Sequence, residues 1–152
     1  MARFNPDRAG SDTGIAVVDN GAISGGLTNS GTISGGNYAI NVDGTSSLDS
    51  IHIRGNDTAL FVGDVVAPNT PTFVDSGAVY TLQNGNQFTV SSFTNNGTLK
   101  MGNGYTATIS GNFTNAGTYR TAVSSQSSFG KLVVGGTANL GGTLFVDVAP
   151  GN

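Results

Sequence analysis

The sequence predicts an all-β solenoid of short strands wound into stacked coils, and three observations carry that prediction. The first is a seven-residue phrase (apolar, β-former, Asn or Asp, any, Gly, Thr or Ala, apolar) that occurs five times, at Val17–Ile23, Leu27–Ile33, Phe73–Val79, Phe93–Leu99 and Phe113–Tyr119. The last three copies start twenty residues apart. A fixed period of this size marks units too small to bury an apolar face alone, which must therefore stack. The second observation is composition. Gly, Ser, Thr and Asn make up nearly half of the 152 residues, Glu is absent, and only two Lys occur, whereas Thr, Val, Ile and Phe are plentiful. The third is periodicity: apolar and polar residues alternate, and no window carries helical apolar spacing.

Taken in order, residues 1–13 are polar, hold Pro6 and carry no copy of the phrase, so they read as a flexible or tag-like lead. Coils are expected over residues 14–120. After the two upstream phrases, Asn37–Gly44 alternates up to an Asp-Gly turn, and Ile51–Gly55 and Ala59–Gly63 repeat that logic. The span 63–72 holds Pro68 and Pro71. Proline cannot donate to a ladder, so an extruded loop is expected there. The 93–112 unit has room for three strands, Phe93–Asn95, Thr98–Met101 and Tyr105–Ile109, separated by glycine-containing turns. At a lateral spacing of about 4.8 Å, roughly six or seven coils would make a rod of order 30 Å.

Each residue type in the phrase has a structural reading. Asp19, Asn29, Asp75, Asn95 and Asn115 hold one equivalent position and are expected to form a ladder of side-chain hydrogen bonds along the stack. Gly21, Gly31, Gly77, Gly97 and Gly117 are expected at corners, where glycine accepts positive φ without steric cost.

Composition also narrows function. The net charge is −3 and the six basic residues are scattered, so there is no basic stripe for nucleic acid and no polybasic helix for an anionic membrane. No cysteine is present, which excludes disulfides and thiolate metal sites. The N-terminal residues lack the apolar core of a signal peptide. No apolar run reaches the roughly 18–20 residues of a spanning helix.

Candidate sites are few. His52 is the only histidine, and Asp49 lies at an odd offset from it, which in a strand means the opposite face. It reads as a surface strand residue. A polysaccharide-cleaving site would need paired carboxylates, or a basic residue beside clustered Asp; Arg54 with Asp49 and Asp57 is the one such neighbourhood. The calcium-binding nonapeptide and the phosphate-binding loop pattern are both missing. Tyr38, Tyr80, Tyr105 and Tyr119 could line a contact stripe or serve as core. No catalytic residue, cofactor or metal is expected.

Residues 121–152 form a distinct C-terminal segment with dense apolar content. Its Gly135-Gly136 and Gly141-Gly142 pairs favour tight turns, which predicts a hairpin-like cap with a core of Leu132, Val134, Leu140, Leu144 and Val146 that folds first. The run Lys131-Leu132-Val133-Val134-Gly135-Gly136-Thr137-Ala138-Asn139-Leu140-Gly141-Gly142-Thr143-Leu144 resembles the C-terminal stretch of bacterial autotransporter passenger domains, the surface proteins of type V secretion. Phrases like Thr28–Ile33 are similar to others in such passengers, and the resemblance covers about residues 14–152.

That resemblance implies a right-handed parallel β-helix ending in an autochaperone. It also implies a partner outer-membrane β-barrel following in the parent, and a location at the bacterial cell surface or in the medium. The expected function is that of a non-catalytic stalk and folding-nucleating segment. Alternatives are an adhesin-type module for host glycan or protein, using a flank or the Pro68–Pro71 span, and a polysaccharide-cleaving enzyme. Self-association is expected through an unpaired strand edge at the N-terminal end.

Overall fold

A computed structural model describes residues 12–149, together with the backbone of Ala2–Phe4. The chain is all-β and winds into a parallel β-solenoid of about six turns. Strand β1 (Ala2–Phe4) precedes the coils. Coil 1 holds β2 (Thr13–Val17), β3 (Ala22–Ile23) and β4 (Leu27–Asn29), and coil 2 holds β5 (Thr32–Val42), β6 (Ser47–Leu48) and β7 (Ile51–Ile53). Coil 3 is β8 (Leu60–Val74) and β9 (Val79–Leu82); coil 4 is β10 (Gln87–Asn95) and β11 (Thr98–Met101). Coil 5 is β12 (Thr106–Ile109), β13 (Asn112–Asn115) and β14 (Thr118–Val123). Coil 6 is β15 (Lys131–Val134), β16 (Ala138–Leu140) and β17 (Thr143–Val148).

Strands at the same corner of successive coils pair in parallel. The series β2-β5-β8-β10-β12-β15 forms one side; β4, β7, β13 and β16 join it through the long strands β8 and β10, which run along both. A four-stranded sheet β9-β11-β14-β17 closes another side.

Alternation decides which side chains fill the bore. In β11 Leu99 and Met101 are buried while Thr98 and Lys100 face outward, and β9, β12 and β13 repeat the pattern. Each large apolar side chain so buried contributes about 1.5–3 kcal/mol relative to exposure. The middle of the bore is aromatic. Phe88 packs edge-on against Phe61 at 5.7 Å and against Phe93 at 5.2 Å between ring centroids, the geometry that ring quadrupoles favour.

The expected loop at 63–72 is instead strand, part of β8. Pairing with β10 jumps from Ala67↔Val90 to Pro71↔Ser92, so the exposed Pro68 and Asn69 sit in a bulge where the ladder already skips. Proline is tolerated at such an interruption. Thr70 turns back inward and its hydroxyl donates to the Leu48 carbonyl at 2.9 Å.

The third phrase is also out of phase with the fourth, pairing at an offset of 21 residues where the phrases are 20 apart. Thr72, not Phe73, pairs with Phe93 and fills the bore, while Phe73 pairs with Thr94 on the outer surface.

This phase shift corrects the expected ladder of five. The column runs Asn29, Ile53, Val74, Asn95, Asn115, Leu140. Only Asn95 and Asn115 are adjacent in it, with Asn95 Nδ2 donating to Asn115 Oδ1 at 2.8 Å. Asn29 is three coils from Asn95 and holds the Leu60 carbonyl and the Gly31 amide instead. Asp75 lies one position beyond the column. Asp19 belongs to a different corner, in a turn at φ 58°, where its amide donates to Asp43 Oδ2.

The corner glycines need correction too. Gly77 has positive φ at 82°, but Gly21, Gly31, Gly97 and Gly117 do not. Gly97 and Gly117 are required for another reason: a Cβ there would lie 2.3 Å from the Ala78 carbonyl oxygen and 2.1 Å from the Gly97 carbonyl oxygen, respectively. The coils stack too closely for a side chain.

The hairpin-like cap takes another form. Strands β15, β16 and β17 pair in parallel with β12, β13 and β14 as a sixth coil, and the antiparallel contact in this segment is a single bridge, Val123↔Phe129. The glycine pairs serve stacking here as well, since a Cβ on Gly142 would lie 2.0 Å from the Gly117 carbonyl oxygen. Of the expected cap core, Leu132 and Val134 pack against the bore. Leu140, Leu144 and Val146 are 66, 59 and 44% exposed, because no further coil among the described residues covers coil 6.

The N-terminal end also differs from expectation. Within the lead, β1 pairs antiparallel with β2, Ala2 opposite Val17 and Phe4 opposite Ile15, so that edge is partly occupied. Residues 5–11 of the lead lie outside the described residues.

Candidate functional site

Polar side chains on the outer surface gather where one coil meets the next. The densest group joins β7 to the turn after β8. His52 and Arg54 project from the same face of coil 2, two positions apart, and Asp75 reaches both from coil 3. Asp75 Oδ1 lies 2.7 Å from His52 Nδ1, and Asp75 Oδ2 accepts from Arg54 Nε. The His52 ring also stacks on Phe73, at 5.1 Å and 20° between planes.

Partial burial raises the Asp75 carboxyl, but hydrogen bonds from Arg54 and then His52 outweigh it, and the net result lies below the ordinary value. An ionised carboxylate only accepts, so Nδ1 carries the proton and donates. Nε2 lies on the far edge of the ring. A shallow open depression of about 550 Å³ lies alongside, lined by Arg54, Gly55, Asp75, Ser76, Gly77 and Ala78.

This arrangement can orient an imidazole. Catalysis by such a pair needs a nucleophile or a bound water within reach of the other nitrogen. Among the described residues the hydrogen-bond partner of His52 is Asp75, with no hydroxyl joined to the ring. The depression is open and its walls are mostly small residues.

Other carboxylates make similar axial links. Asp57 accepts from Thr81 at 2.7 Å and from Lys100 at 3.0 Å, linking the end of coil 2 to coils 3 and 4. Asp147 receives Arg120 through Nε and Nη2, and the Arg120 guanidinium lies 4.6 Å over Phe145. Asp43 is drawn down to about 2 by hydrogen bonds from Ser46 and Thr45. Asp49 accepts from the Gly25 amide.

The residues weighed from sequence are therefore dispersed. Arg54 binds neither Asp49 nor Asp57, so the one candidate lyase neighbourhood is not assembled. No group of three metal-ligating side chains occurs among the described residues. The four tyrosines form no stripe, since Tyr80 is fully buried and Tyr119 packs against the core. The His52–Asp75 contact escaped sequence reasoning. Its signal is an offset of about one coil between an outward His and an outward Asp, masked by the place of Asp75 in the repeated phrase.

No family model, curated protein or solved structure matches this chain.

Proposed function

We propose that the chain is a non-catalytic structural stalk, the C-terminal stretch of a bacterial surface passenger of the autotransporter kind, displayed beyond a separate outer-membrane barrel. One observation carries the reading: the charged side chains at the coil junctions are engaged in stitching one coil to the next. Asp57, Asp75 and Asp147 each link to a residue about one coil away, which suits a part that must hold a shape. The resemblance of residues 131–144 to passenger C-termini points the same way. A stalk of this kind needs no cofactor and no metal.

The test is a display assay. The chain is placed between a protease-reporter domain and a heterologous outer-membrane barrel, with an export signal supplied. Intact coils should carry the reporter to the cell surface, where added protease releases it, and the Gly97→Val variant should lower surface reporter at least tenfold. Equal display with both would remove the stalk reading. Retention of host glycan or matrix protein by the isolated chain would favour the adhesin alternative, and release of reducing ends from polysaccharide would favour the enzyme.

A further inference from the structure

Four Asn-Gly pairs occur in this chain, at Asn20, Asn84, Asn96 and Asn103. Such a pair carries its own chemistry. The glycine nitrogen, giving up its proton to solvent, can attack the side-chain carbonyl carbon of the asparagine, because glycine has no Cβ to hinder the approach. A C–N bond forms, the bond to the side-chain nitrogen breaks, and ammonia leaves behind a five-membered succinimide. Water then opens that ring at either carbonyl. The product is aspartate, or isoaspartate, whose main chain runs through the side-chain carbons. Ring closure needs a side chain free to fold back on its own backbone and a glycine N–H that is not held elsewhere.

The fold holds three of the four. After Asn20, the Gly21 amide donates both to the Val18 carbonyl at 3.0 Å and to Ser46 Oγ at 3.1 Å. At Asn84 the side-chain Oδ1 accepts from the Thr106 amide at 2.9 Å, and the Gly85 amide donates to the Thr106 carbonyl at 2.8 Å. Asn103 donates through Nδ2 to Ser124 Oγ and Ser128 Oγ at 2.9 and 3.0 Å, which fixes the plane of its amide. Asn96 differs. Its side chain is exposed and makes no hydrogen bond among the described residues, and neither does the Gly97 N–H. The corresponding amide one coil on, Gly117, is held by the Asn95 carbonyl at 2.8 Å.

We infer that Asn96 is a built-in modification site, at which the folded chain converts itself to aspartate and isoaspartate with water as the only co-reactant, loosening the middle of the rod. Asn96 follows Asn95 as Asp75 follows Val74, and Asn95 and Val74 pair across coils 3 and 4. The aspartate product therefore sets a second carboxylate one strand spacing, about 4.8 Å, from Asp75. Like charges directly opposite destabilise a sheet. Isoaspartate adds a main-chain atom just before Gly97, where the coils leave no slack. A Cβ on Gly97 would lie 2.3 Å from the Ala78 carbonyl oxygen, and one on Gly117 would lie 2.1 Å from the Gly97 carbonyl oxygen.

The test ages the intact chain in warm, mildly alkaline buffer and follows each Asn-Gly peptide by digestion and mass spectrometry, with isoaspartate separated from aspartate by chromatography. In the folded chain Asn96 should convert at least tenfold faster than Asn20, Asn84 or Asn103. In concentrated urea the four rates should converge, because the pairs are alike in sequence and the fold alone sets them apart. The aged chain should unfold at lower urea than the fresh one. Asn96→Ser cannot close the ring, and Ser30 and Ser76 already stand at that place in two other copies of the phrase; this variant should age without the loss. Conversion of Asn96 no faster than the other three in the folded chain would overturn the inference. So would one order of rates kept both folded and unfolded, or an Asn96→Ser chain that loses stability as fast as the parent.

Discussion

Asp75 joins two coils with one carboxylate, and its energetics follow from its partners. The group is partly buried, which alone would raise it, yet the Arg54 and His52 hydrogen bonds hold it below the ordinary 3.8. A depressed carboxyl stabilises the fold above the unfolded-state value, and that stability is lost as pH falls through the folded-state value. Arg54 is 58% exposed along its side chain, so solvent screening keeps the contribution to roughly 0.5–1 kcal/mol. Asp75→Asn should therefore lower the midpoint of urea unfolding at neutral pH, and the gap from the parent should close as pH falls below 3.8. A gap that persists in acid would mean that shape, not charge, holds this junction. The pair is not legible in the sequence for a physical reason: the repeated phrase sets Asp75 level with Asn95, but Val74 is the residue that pairs with Asn95, and the one-residue offset leaves no local signal in the apolar pattern.

Among the repeating elements, the fold was most legible where register and period agree. Phe93↔Phe113 and Thr98↔Thr118 are spaced by twenty residues, and there the expected strands Phe93–Asn95 and Thr98–Met101 lie within β10 and coincide with β11. Elsewhere the coil length runs from nineteen residues, Val79↔Thr98, to twenty-eight, Ile33↔Phe61. Turns absorb that variation, and turn length leaves little trace in apolar pattern. Of the corner glycines, Gly77 has the expected positive φ, while Gly97 and Gly117 are required by stacking distance. At Gly97 a Cβ would meet the Ala78 and Asp75 carbonyl oxygens at 2.3 and 2.5 Å, whereas at Gly31 it meets nothing within 4 Å and φ is not positive. Gly97→Ala should thus cost about 1–3 kcal/mol by forcing coils apart. Gly31→Ala should be neutral or stabilise by about 0.4–1 kcal/mol through the unfolded chain. Urea unfolding of the two variants compares them directly, and equal losses would show that backbone conformation, not stacking distance, selects these glycines.

Over the whole molecule, each coil rests on its neighbours, so stability is close to a sum of coil and junction terms. Those terms are uneven. The large, fully buried Phe61, Tyr80, Phe88, Phe93 and Phe113 all lie in coils 3 to 5, whereas coil 6 leaves Leu140, Leu144 and Val146 exposed. Local opening should follow that gradient, with slowest amide exchange in β8–β13 and fastest in β16 and β17. The same gradient bears on folding order. Dense apolar sequence in the tail suggests a C-terminal nucleus, but nucleation needs contacts that exclude water, and the tail makes few. Leu99 is fully buried, and Leu99→Ala should cost about 2–5 kcal/mol and slow refolding. Leu144, 59% exposed, has little burial to lose, so Leu144→Ala should leave the refolding rate nearly unchanged. Stopped-flow refolding of the two variants separates these cases. A refolding rate slowed more by Leu144→Ala than by Leu99→Ala would return the nucleus to the tail, and with it the advantage such an order would give to a chain emerging through an outer membrane.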